Sequence, residues 1–140
     1  MDTYTGHTKV IQMIGVVDCG TVINKALSTL QTEGGLAQGI GLALFEDVVY
    51  DKDGRMMSDS FMQYKIPART DTGKIQVAFE ESYEPTGPFG AKSIGEVVLN
   101  TPAPAIADAI YHAVGVRLRS LPMTPEKIFT AMQEKKNEQK

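Results

Sequence analysis

One carboxylate stands where a flexible backbone would let a ligand come close. It is Glu96, directly after Gly95 in the run Gly90-Ala91-Lys92-Ser93-Ile94-Gly95-Glu96. A carboxylate so placed can act as a general base when the proton it takes lies within hydrogen-bond reach. No second acid sits near it in sequence, so the carboxylate pair of glycoside hydrolysis has no local support. Nor does a serine-nucleophile elbow occur. By local chemistry alone, Glu96 reads as a solvated loop acid.

Two nucleotide-binding patterns come close and fail. Gly87-Pro88-Phe89-Gly90-Ala91-Lys92-Ser93 approaches a phosphate-binding loop, but Ala91 separates glycine from lysine. Pro102 and Pro104 also leave little room for the helix such a loop must open. Gly39-Ile40-Gly41 begins a dinucleotide fingerprint, yet Leu44 stands at the third glycine and the run lies inside a helical pattern. Cys19 is the single cysteine, and it reads as a small buried thiol. His7 and His112 are far apart and have no companions at ligand spacing, so no residue is assigned to a metal.

The elements that must position Glu96 follow from periodicity. Thr8 to Val17 reads as a strand, and the turn before it suggests the second half of a hairpin whose first half is not in this chain. Asn24 is an N-cap candidate for a helix whose pattern runs through Leu27, Leu30, Gly34, Ala37, Gly41, Leu44 and Phe45. Gly34, Gly35, Gly39 and Gly41 each cost that helix roughly 1 kcal/mol against alanine. Either it packs closely on another backbone or a ligand, or it breaks into two shorter helices. Val48 to Tyr50 reads as a strand entering a turn, Met56 to Ile66 as a weaker extended segment, and Ile75 to Phe79 as a half-buried strand. Thr101-Pro102 opens a helix that Gly115 stops, and Thr124-Pro125-Glu126 opens a short last helix through Met132.

These elements predict a single α+β domain of short strands and about three helices over residues 1–133, followed by a charged, disordered tail at 134–140. A chain of 140 residues is enough for one core, and 42% hydrophobic with 22% charged residues is ordinary for a globular protein. The formal charge is −3 and the basic residues are scattered, which argues against a nucleic-acid partner. The apolar run Leu36 to Phe45 is too short to span a bilayer, and the first residues lack signal-peptide character. The expected location is the cytoplasm.

Five segments, in order, resemble one family. They are Val17-Asp18-Cys19-Gly20-Thr21-Val22-Ile23-Asn24, Gln31-Thr32-Glu33-Gly34-Gly35-Leu36-Ala37-Gln38-Gly39-Ile40-Gly41, Tyr64-Lys65-Ile66-Pro67, Gly90 to Glu96, and Val116 to Glu126. Together they resemble the C-terminal part of the molybdenum-binding subunit of the xanthine dehydrogenase and aldehyde oxidase family. The resemblance covers nearly the whole chain.

The resemblance implies that Glu96 is the base in oxidative hydroxylation of a purine, another N-heterocycle or an aldehyde. It implies that Gln31 contacts the pterin through its amide, with Gly34 and Gly35 allowing close approach. Lys92, Ser93 and Gly95 would shape the loop at the cofactor. The implied cofactor is molybdenum-molybdopterin, the cytosine dinucleotide form included, completed by another chain. Iron–sulfur and FAD groups would sit on partner subunits, and the isolated chain would be inactive. Two departures stand out: Val97-Val98 where the family places two prolines, and Lys25 where proline usually follows the asparagine. The alternative is a non-catalytic module that binds partners, or itself as a homo-oligomer, through the strand at Thr8 to Val17.

Overall fold

The computed structural model describes residues 1–138. Strand β1, Gln12–Asp18, alternates exposed and buried positions, which turns Met13 and Val17 to the interior. Helix α1, Lys25–Leu44, follows. Strand β2, Lys74–Glu80, then lies parallel to β1, with Gln12 opposite Lys74 and Asp18 opposite Glu80. The first half of the fold is therefore a βαβ unit, whose crossover carries the long helix across the two-stranded sheet. Helices α2, Pro102–Val114, and α3, Pro125–Glu138, complete it.

Local chemistry explains the helix ends. The Asn24 side chain accepts a hydrogen bond from the Leu27 amide at 3.1 Å and caps α1. Pro102 opens α2, and Gly115, at φ 71°, closes it in the left-handed conformation that favours glycine. Leu36, Ile40, Ala43 and Leu44 of α1 pack with Ile106 and Ile110 of α2, Ile128 and Met132 of α3, and Met13 of β1. Burying each large aliphatic side chain there contributes about 1.5–3 kcal/mol. A second cluster, Val17, Cys19 and Val98, lies nearer the Glu96 loop. No helix among the described residues is long and apolar enough to cross a membrane.

Three sequence expectations need correction. The strand opens at Gln12 rather than Thr8; the Val10 and Ile11 carbonyls just before it lie close against Gly73, at φ 64°. Within the chain its partner is the parallel β2, which makes the pair a crossover unit. Val48 to Tyr50 and Met56 to Ile66 form no strand; they contribute only the isolated bridge between Tyr50 and Met56. The last helix does not stop near Met132 and give way to a disordered tail at residue 134, but continues to Glu138. Lys135 holds it there by donating to the Val114 carbonyl at 3.3 Å and the Gly115 carbonyl at 3.0 Å. Residues 139–140 of the expected tail lie outside the described residues.

The open choice for α1 is decided. It is one continuous helix of 20 residues; Gly35, Gly39 and Gly41 sit at close approaches to other parts of the chain, whereas Gly34 faces open space.

Candidate active site

The loop that carries Glu96 is fixed at both ends. On the β1 side, Gly20 and Ala91 form an antiparallel bridge, and the Lys92 amide donates to the Cys19 carbonyl at 2.7 Å. The Lys92 ammonium reaches Asp18 Oδ2 at 2.7 Å and Ser82 Oγ at 2.8 Å. That contact, with the Ser82 hydroxyl and the Gly20 amide, holds the Asp18 carboxyl well below the usual carboxylate range. Burial raises the Cys19 thiol above its ordinary value. The glycines that use left-handed backbone here are Gly20, at φ 66°, and Gly90, at φ 79°. Gly95 does not, so the turn before Glu96 needs no glycine torsion.

On the α1 side the contacts follow one line along the helix. Gln31 Nε2 donates to the Gly95 carbonyl at 3.2 Å. A β-carbon on Gly35 would lie 2.1 Å from Val98 Cγ2. One on Gly39 would lie 2.5 Å from Pro102 Cγ and 3.0 Å from the Leu99 carbonyl. Gln31, Gly35 and Gly39 are four residues apart and so share a helix face. That face receives Gly95, Val98 and Pro102 in the same order. Glu96 leads into the 3₁₀ turn Val97–Leu99, where the Leu99 amide donates to its carbonyl at 3.0 Å.

Beside this seam lies an open cleft of about 350 Å³. Gln31, Gly34, Gly35, Gln38, Gly95 and Glu96 all line it. The structure thus brings together five residues that sequence assigned to the site: Glu96, Gln31, Gly34, Gly35 and Gly95. It places the other two elsewhere. The Lys92 ammonium is committed to Asp18 and Ser82, where it braces the loop, and exposed Ser93 is not among the lining residues. Gln38 and Val98 were missed. The four-residue spacing of Gln31, Gly35 and Gly39 was the available signal, since it marks a face too smooth to leave empty.

A family model described as molybdopterin cofactor-binding domain matches residues 1–73. The chain belongs to that family. Its resemblance to the molybdenum-binding subunits of xanthine dehydrogenase and aldehyde oxidase is borne out. It is 37% identical to "Probable hypoxanthine oxidase XdhD" of Escherichia coli, over 95% of this chain and 14% of that protein. It is 36% identical to the 6-hydroxypseudooxynicotine dehydrogenase complex subunit gamma of Paenarthrobacter nicotinovorans, over 95% of this chain and 17% of that subunit. The crystal structure of the aldehyde oxidoreductase from Desulfovibrio desulfuricans superposes with a TM-score of 0.85 at 39% identity. That match covers 93% of this chain and 14% of the other. The chain therefore spans about a sixth or less of the length of these relatives.

The residues present fit one wall of a pterin site. A β-carbon on Gly34 would meet no atom within 4 Å, and one on Gly95 only Ser93 Oγ at 4.0 Å. At Gly34 and Gly95 the lining is therefore open backbone that a flat heterocycle can approach, with two glutamine side chains on the lining to pair with its polar edge. The Gly35 position is different. Val98 already fills it, so Gly34 and not Gly35 is the glycine open to a ligand.

Proposed function

We propose that this chain forms one wall of the cofactor site of a molybdenum hydroxylase and supplies Glu96 as its general base. The observation that carries this reading is convergence. Gln31 and Gly95 lie 64 positions apart, yet they join in one cleft with Glu96 at its edge. When bound there, the molybdenum–pterin group supplies the oxygen-activating and electron-accepting chemistry. The chain's residues do the rest on this wall. Gln31 and Gln38 offer amide groups to the pterin, Gly34 lets it approach, and Lys92 and Ser93 shape the loop. Glu96 makes no ion pair among the described residues, which leaves its carboxylate oxygens free to take the proton that activation releases.

The substrate class in this reading is an electron-poor carbon of an N-heterocycle or an aldehyde, and the location is the cytoplasm. The names of the relatives include a hypoxanthine oxidase and an aldehyde oxidoreductase, which supports that range. One open wall cannot enclose a cofactor, so a further molybdopterin-binding segment completes the site and the chain alone is inactive. Iron–sulfur and FAD partners, and the cytosine dinucleotide form of the pterin, belong to the same proposal. One relative is named as a subunit of a complex, which supports partners of this kind.

A second reading is a partner-binding or self-associating module without catalysis. It is favoured by Ile14 and Val16, which are 62% and 68% exposed on the outer face of β1. Co-expression with the polypeptide that carries the remaining molybdopterin-binding segments separates the two. The catalytic reading predicts molybdenum, pterin and turnover in the assembled complex. An assembled complex that never holds metal or pterin would favour the second reading.

A further inference from the structure

We infer that Val98 is a positioning residue for Glu96, acting through the notch that Gly35 leaves in α1. The inference rests on Glu96 as the base, and it concerns what aims that base. Val98 is 2% exposed, and its Cγ2 methyl stands where a side chain on residue 35 would begin. It is the buried member of the 3₁₀ turn Val97–Leu99, which starts immediately after Glu96. One residue on the other side of Glu96, the Gly95 carbonyl is held by Gln31. The acid is thus fixed to a single helix face from both sides, upstream by a hydrogen bond and downstream by a packed methyl.

Rigid proline at this position would fix the loop by its own ring. A valine cannot, because its backbone torsions are unrestrained by a ring. Here the restraint comes from packing, since a close-packed contact resists displacement in every direction at once. Gly35 and Val98 therefore form a pair whose sizes must add to a constant. A methyl on residue 35 without loss from residue 98 drives the turn off the helix. Loss from residue 98 alone leaves a void beneath it. With both changes, the two β-carbons come to 3.3 Å, a contact that a shift of a few tenths of an ångström relieves.

A double-mutant cycle in the assembled enzyme tests this. Gly35→Ala and Val98→Ala should each lower kcat, by roughly 100-fold and roughly 10-fold, with KM and molybdenum content unchanged, since misplacement near 1 Å costs about that much. The double variant should recover to within about threefold of the parent. Amide hydrogen exchange over residues 97–100 should rise in both single variants and return in the double, a readout independent of turnover. Should Gly35→Ala fail to assemble, recovery of assembly in the double variant and the loss in Val98→Ala still report the same pairing. Parent-level kcat and exchange in Val98→Ala, or a double variant no better than the worse single one, would overturn the inference. Glu96→Gln, run alongside, keeps the two claims apart: if it turns over normally, the base assignment fails while the exchange data still judge the pairing.

Discussion

The side-chain amide of Gln31 hydrogen-bonds to the backbone carbonyl of Gly95, so the second turn of α1 holds the residue immediately before Glu96. The bond is solvent-exposed, and a neutral bond of this kind contributes about 0.5–1.5 kcal/mol. Gln31→Ala should therefore lower unfolding stability by no more than about 1 kcal/mol. Its larger effect should fall on kcat, because the loop loses its upstream tether. Gln31→Glu should be worse than Gln31→Ala, since a carboxylate would face the Gly95 carbonyl with no hydrogen to donate. Chemical denaturation and steady-state kinetics of the three forms check this.

The glycines of α1 should answer substitution in opposite ways. Gly34 faces open space, so Gly34→Ala should stabilise the helix by up to about 1 kcal/mol. Gly39 meets Pro102 and the Leu99 carbonyl, so Gly39→Ala should destabilise by about 1–3 kcal/mol through overpacking. Urea unfolding midpoints of the two variants give the comparison. If Gly34 also admits the pterin, Gly34→Ala should cost cofactor content while it gains stability.

The Asp18 carboxyl is depressed first by the Lys92 ammonium, then by the Ser82 hydroxyl and the Gly20 amide. A carboxyl with a lowered folded-state value stabilises the fold above its ordinary value of 3.8 and loses that contribution as pH falls below it. The pair is partly exposed, so the effect is modest. Asp18→Asn should lower the unfolding midpoint near neutral pH. The parent and variant midpoints should then converge as pH falls from about 4 toward 2. A constant gap down to pH 2 would contradict the assignment.

Much of this architecture was legible in the residues. Asn24, Pro102, Gly115 and Pro125 mark helix ends by local rules, and each stands where those rules put it. The alternation of Ile75 to Phe79 marks β2 for the same reason. What local rules could not supply was pairing. Nothing within Thr8 to Val17 says that its neighbour is a parallel strand more than fifty residues on, or that the ladder opens only at Gln12. The extension of α3 to Glu138 also depends on a distant partner, the α2 terminus that Lys135 reaches. At the site, resemblance singled out Glu96, Gln31 and Gly34, and the fold gathers them. The roles of Lys92 and Gly35 needed coordinates, because a lysine beside a glycine loop looks the same whether it meets a ligand or Asp18.

The central claim is that Glu96 is the base, and one substitution tests it most directly. Glu96→Gln keeps the size of the side chain and removes its capacity to take a proton at working pH. Measured in the assembled enzyme, it should lower kcat by at least roughly 100-fold, with molybdenum and pterin content equal to the parent. Turnover at the parent rate with a full complement of metal would contradict the account.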